Sequence, residues 1–328
     1  MTRSRFLPDN FTLCLVTTVA LASLFPARDS AAPFFEGLTT LAIGLLFFLH
    51  GAKLSREAIL AGFTHWRLHV LVFGATFVVF PLLGLLLKPV LAPLVTPGLY
   101  MGVLYLCALP ATVQSAIAFT SLARGNVPAA VCSASASTLL GVFVTPVLVN
   151  LIVVQGHGGG SAVQAIERIL VQLMLPFVTG HLLRPWIGGF VKKHAAGLKF
   201  VDQGSILLVV YSAFSEAVIH GLWKQVSLSA LGGLLVVCVV ILGLALTLTT
   251  LMARKLGFDK RDEITIVFCG SKKSLASGIP MANVLFASSA VGTIVLPLML
   301  FHQIQLMVCA VLAQRYARRP QELADVAD

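Results

Sequence analysis

Cys269-Gly270-Ser271-Lys272-Lys273-Ser274-Leu275-Ala276-Ser277-Gly278 interrupts a run from Ile264 to Phe286 that is otherwise apolar enough to cross a bilayer. A crossing needs about 20 residues, and a lysine near its centre costs about 2.5–3.5 kcal/mol on insertion scales. Two adjacent lysines there demand a partner or an aqueous cavity; the simpler alternative is that they snorkel to an interface. A second stretch of the same kind lies upstream, Cys107-Ala108-Leu109-Pro110-Ala111-Thr112-Val113-Gln114-Ser115. Pro110 removes a backbone donor and clashes with the preceding turn, while Gly270 and Gly278 loosen the downstream stretch. Backbone groups freed by a helix break cannot stay bare in hydrocarbon, so such breaks survive only against protein or a water-filled cavity.

Of the 328 residues, 58% are apolar and 11% charged, less than half the charge of an average soluble domain. The apolar runs are continuous rather than alternating, which excludes an outer-membrane barrel as well as a soluble enzyme or a nucleic-acid reader. The formal charge of +10 then reads as the basic excess that orients membrane spans. Cys14, Cys107, Cys132, Cys238, Cys269 and Cys309 all fall in apolar stretches without ligand spacing, and are read as small core residues. The amino end resembles a signal peptide, but reads better as an uncleaved first span anchored by Arg3 and Arg5.

The expected class is an all-α polytopic membrane protein. Ten transmembrane helices are expected near 11–27, 37–54, 68–87, 98–123, 127–154, 167–184, 203–220, 229–253, 263–287 and 290–314. Both termini are then cytoplasmic. Among the 23 lysines and arginines, the outer segments hold only Arg28, Lys88, Arg168 and Lys224, the positive-inside pattern of a cell inner membrane protein. Ten spans divide into two halves of five, residues 1–154 and 155–328, the second with a short tail. Five is odd, so the halves would be inverted repeats. Aligning Cys107 with Cys269 brings Ser115 onto Ser277 and Ile117 onto Ile279, and the two interrupted helices become the fourth and ninth spans.

Half-helix ends converging near the midplane make a site for a small charged solute, because N-termini favour anions and C-termini cations. The bland alternative is a pair of kinked helices with polar residues paired across the bundle. Candidate solute contacts are Thr112, Gln114 and Ser115 in the first break, and Ser271, Lys272, Lys273, Ser274 and Ser277 in the second. Of the two lysines, one should face the cavity, since adjacent helical positions point about 100° apart. Ser133 and Ser137 share a helix face; they read as solute hydroxyls or as small residues at a tight helix contact. Glu216 is an acid deep in an apolar helix: a proton carrier, a cation ligand, a partner of the lysines, or half of a register-setting salt bridge. His302, Gln303 and Gln305 form a polar patch that either lines a cavity or bonds neighbouring helices.

Five runs carry a resemblance to the bile acid:sodium symporter superfamily, in particular its YfeH-like bacterial branch. They are LLFFLHGAKLSREAI (45–59), YLCALPATVQSAIAFTSLARGNV (105–127), AAVCSASASTLLG (129–141), DEITIVFCGSKKSLASGIPMAN (262–283) and LPLMLFHQIQLMVCAVLA (296–313). The resemblance implies inverted five-helix repeats and a core domain with crossed, broken fourth and ninth helices. It also implies a panel domain of the first, second, sixth and seventh helices, and solute moved between the two by alternating access. It further implies cation-serving Glu and Gln residues four apart in the ninth-span break; here those places hold Cys269 and Lys273. Hydroxyl ligands of the fifth span fall on Ala130 and Ala134. Exchanging a carboxylate for an ammonium reverses the Coulomb term, so sodium is disfavoured, no cofactor is expected, and an ammonium, Lys273, takes the cation's place. The expectation is a proton-coupled or uncoupled transporter of a small organic anion or amphipathic acid. Its partners are the solute and the lipid bilayer, with no nucleic acid and an oligomeric state the sequence does not reveal. The alternative is a regulator of calcium homeostasis that transports nothing. An enzyme would need more than Asp259-Lys260-Arg261-Asp262, whose diphosphate-motif spacing occurs once, in a basic loop, where solvated charges explain it.

Overall fold

The computed structural model describes residues 10–28, 31–53, 65–153 and 170–319. The arginine anchor at Arg3 and Arg5, Arg168, the start of the sixth span and the boundary at residues 154 and 155 lie outside the described residues. Within them the chain is all helix, with no strand.

We number the helices α1 Asn10–Leu24, α2 Ala31–Lys53, α3 Trp66–Leu86, α4 Pro97–Ala108, α5 Gln114–Leu122 and α6 Val127–Ile152. The second half continues with α7 Leu175–Lys193, α8 Ala195–Ile219, α9 Leu228–Lys255, α10 Lys260–Gly270, α11 Leu275–Leu285 and α12 Ser288–Ala317. Among these α2, α3, α6, α9 and α12 are each long and apolar enough to span a bilayer. Side-chain caps explain several starts: Asn126 accepts from Ala129 N–H at α6, Ser227 from Ala230 N–H at α9, and Asp259 from Asp262 N–H at α10. Asp262 accepts from Asn126 Nδ2 at 2.8 Å. Both acids of the Asp259–Asp262 motif thus hold helix ends.

One expected loop is absent. The sequence expectation ends the sixth span near 184, yet α7 runs through Pro185 to Lys193, and α8 follows after a turn at His194. The basic, less apolar end of α7 remains helical because leaving the hydrocarbon does not require leaving the helix.

Helices α1, α2, α7 and α8 form one packed group. Within it α2 and α7 touch through backbone: a Cβ on Gly51 would stand 2.0 Å from Phe177 O, and one on Gly180 2.0 Å from Phe48 O. The broken helices α4–α5 and α10–α11 pack with α3, α6, α9 and α12. Free cysteines 107, 132, 238, 269 and 309 are buried as expected of core residues, whereas Cys14 is exposed on α1.

Candidate functional site

Both polar stretches break their helices. Leu109, ahead of Pro110, is extended, as the residue before a proline prefers, and this ends α4. Ser274 is also extended and caps α11, its Oγ accepting from Ser277 N–H at 3.2 Å. The two breaks join directly, Ser274 N–H donating to Pro110 O at 2.9 Å. Close approach is possible because Gly141 and Gly278 leave room for Pro110 and Leu109; a Cβ on either glycine would stand 2.5 Å or 2.6 Å from those side chains.

The backbone groups that the breaks release find partners inside the protein, as a low-dielectric interior requires. Thr145 Oγ1 donates to Ala108 O at 2.9 Å, and Ala111 N–H donates to Ser137 Oγ at 3.0 Å. Gln305 grips the Lys273 peptide on both sides: Lys273 N–H donates to Gln305 Oε1 at 2.9 Å, and Gln305 Nε2 donates to Lys273 O at 2.9 Å. Tyr105 OH donates to Gly278 O.

Lys273 completes the set. Its Nζ donates to Thr76 O at 2.8 Å, Cys107 O at 2.9 Å and Leu109 O at 2.7 Å, and lies 4.1 Å from the Phe80 ring centroid. A neutral amine has two N–H bonds, so three carbonyl acceptors call for the ammonium. The carbonyl of Thr76 is free for a structural reason. A π-helical turn at Ala75–Val79 sends Phe80 N–H to Ala75 O, and Pro81, next in line, has no N–H to give. The other two carbonyls belong to the C-terminal end of α4, where the helix dipole favours positive charge. A cation thus sits where a cation is wanted, and it is covalently attached to the chain.

Lys272 is as deeply buried but differently placed. Its Nζ lies 4.3 Å from the Phe119 ring centroid and 5.3 Å from that of Phe268. It has no hydrogen-bond acceptor among the described residues. Ser271 Oγ donates back to Val267 O. Neither ammonium lines the cavity beside the breaks.

That cavity, about 380 Å³, lies between the α1–α2–α7–α8 group and the broken helices, beside the direct packing of α8 on α11 and α12. From the breaks it takes Thr112, Val113, Gln114, Ser115, Ser274, Leu275, Ala276 and Ser277, so the N-termini of both α5 and α11 border it. His302 lines it too, with Nδ1 2.9 Å from Gln305 Nε2. Its other wall holds His50, Lys53, Lys199, Asp202 and Gln203. Lys53 and Asp202 form an ion pair across α2 and α8, and the second carboxylate oxygen of Asp202 is buried without a partner among the described residues.

Of the sequence candidates, Thr112, Gln114, Ser115, Ser274, Ser277 and His302 therefore come together on this cavity. Ser133, Ser137, Ser271, Lys272, Lys273, Glu216 and Gln303 are not among its walls. Ser133 Oγ meets His69 Nδ1 at 2.7 Å and Ser137 serves Ala111. Glu216 pairs with His220 at 3.0 Å, near the end of α8 opposite Asp202, and not with either lysine.

The model of the SBF-like CPA transporter family matches residues 9–318. The chain belongs to this family. Among its relatives, an uncharacterised protein of Pseudomonas aeruginosa is 68% identical over 324 residues, 99% of this chain and 97% of its own. The candidate symporter YfeH of Escherichia coli is 61% identical over 318 residues, covering 96% and 95% of the two chains. Sodium/bile acid cotransporter 7 of Danio rerio is 26% identical over 309 residues, 92% and 91%. The chain is therefore a member of a family of membrane transporters and not of enzymes.

For this SBF-like transporter, reading the sequence passed over the wall opposite the breaks. Lys53 and Lys199 counted only toward the basic excess of the cytoplasmic side, and Asp202 and Gln203 carried no motif. The one available signal was Asp202, a lone acid at the start of an apolar helix beside a basic loop. Thr76 was out of reach, since it contributes a carbonyl and any residue has one.

Proposed function

We propose that this chain is a secondary transporter of a small organic anion or amphipathic acid, working by alternating access without sodium coupling. In this reading ten spans form two inverted repeats, residues 1–154 and 155–328, in the cell inner membrane with both termini cytoplasmic. The α1–α2–α7–α8 group is the panel, the remainder is the core, and the cavity between them opens toward the basic, cytoplasmic side.

One observation carries the reading. The N-termini of two half-helices border a single cavity, while the C-terminal carbonyls of α4 are taken by the ammonium of Lys273. The positive dipole ends of α5 and α11 favour an anion in that cavity. On the opposite wall Lys53 and Lys199 outnumber the acid Asp202. A free sodium ion beside Lys273 would meet a like charge in a medium of low dielectric. At 4 Å and an effective constant near 20 that repulsion is about 4 kcal/mol. Proton coupling or no coupling is what remains.

The test is uptake of radiolabelled taurocholate and a panel of smaller organic anions into proteoliposomes, with and without an inward sodium gradient. Saturable uptake of at least one anion, equal under both conditions, is the expected result. Ala276→Trp, which fills the cavity between the half-helix ends, should abolish that uptake in a protein that still folds. Strict sodium dependence in the wild type would overturn the coupling proposed, and undiminished uptake by Ala276→Trp would overturn the site.

A further inference from the structure

A groove of about 1060 Å³ runs between α9 and α12 and shares no wall residue with the cavity. Its walls are apolar, with Leu251, Met307, Val308 and Val311 all substantially exposed. At one end stand Arg254, Arg315 and Arg318. The acid at this end, Glu263, is already committed. It accepts from Arg254 at 3.1 and 3.2 Å, from Lys260 at 2.7 Å and from Tyr316 OH at 3.3 Å. Arg315 and Arg318 are exposed on the groove, so among the described residues the end of the groove keeps a positive charge without an acid to neutralise it.

We propose that this groove is a binding site for an anionic glycerophospholipid, with the acyl chains against α9 and α12 and the phosphate between Arg315 and Arg318. The amphipathic division of the groove matches that of the ligand. A planar guanidinium offers a paired fork to phosphate oxygens, and basic pockets between membrane helices bind anionic headgroups. A second copy of the chain fits less well. A two-fold axis along the membrane normal would bring the same cationic ends together, opposing like charges across the interface. A zwitterionic lipid would satisfy the walls and leave the arginines without a net counter-charge.

The experiment titrates purified full-length protein in detergent with phosphatidylglycerol or phosphatidylcholine of identical acyl chains. Bound lipid is counted by native mass spectrometry, and melting temperature is followed in parallel. The wild type should retain phosphatidylglycerol preferentially and melt higher with it. Arg315→Gln with Arg318→Gln should erase that preference, by about fivefold per arginine, while the protein stays folded and still takes up phosphatidylcholine. Val311→Trp, which fills the apolar part, should reduce retention of both lipids. An identical lipid preference in the wild type and the double glutamine variant would overturn the proposal. So would a wild-type dimer that Val311→Trp converts to a lipid-free monomer.

Discussion

Lys272 and Lys273 share a side chain and complete burial, yet the chain uses them differently, and that difference is measurable. Lys273 holds three carbonyls from two helices, whereas Lys272 faces two aromatic rings. A hydrogen bond to a charged group is worth roughly 1.5–3 kcal/mol, and an acceptor left bare costs about as much. Lys273→Met should therefore destabilise the protein by about 3 kcal/mol or more. Lys272→Met loses a cation–π contact of about 0.5–2 kcal/mol but also removes the cost of a buried charge. It should melt within a few degrees of the wild type. Thermal unfolding of both variants in detergent checks the contrast, and equal losses would show that the carbonyl cage carries no special weight. The sequence announced both lysines, because charge in hydrocarbon is conspicuous. Their division of labour was hidden, because the acceptors of Lys273 are peptide carbonyls freed by a π turn and two prolines.

At the level of the helix, the two breaks were legible in the residues that interrupt them, since Pro110 and the Gly–Ser–Lys stretch break periodicity on the page. The contact between α2 and α7 was not, because a glycine in an apolar run looks the same whether it faces lipid or a backbone. Gly51 and Gly180 sit against carbonyl oxygens, whereas Gly189, also on α7, has nothing within 4 Å of an added Cβ. Gly180→Ala should force α2 and α7 apart and deplete the folded peak in size-exclusion chromatography. Gly189→Ala should fold normally and gain up to about 1 kcal/mol from helix propensity. Indistinguishable behaviour of the two alanines would mean that the helices do not meet through backbone. The end of α7 is illegible for a related reason: Pro185 and the basic residues after it look like a stop. A proline inside a helix costs it a hydrogen bond, but here the helix continues beyond it to Lys193.

Across the whole molecule, the breaks and the cavity make one electrostatic arrangement. Positive helix ends turn toward a solvent-accessible space bounded by Thr112–Ser115 and Ser274–Ser277, and the negative end of α4 turns inward onto a tethered ammonium. The membrane class was legible from the scarcity of charge and the break side of the cavity from its polar residues. The facing wall needed coordinates, because Lys53 meets Asp202 only when α2 and α8 pack. The central feature is Lys273 standing in the place of a metal cation. The direct measurement is the melting temperature of the purified wild-type protein in sodium chloride against choline chloride at equal ionic strength. The same melting temperature in both salts is predicted, because the carbonyl cage is already filled. A sodium-specific rise, saturating with concentration, would contradict it.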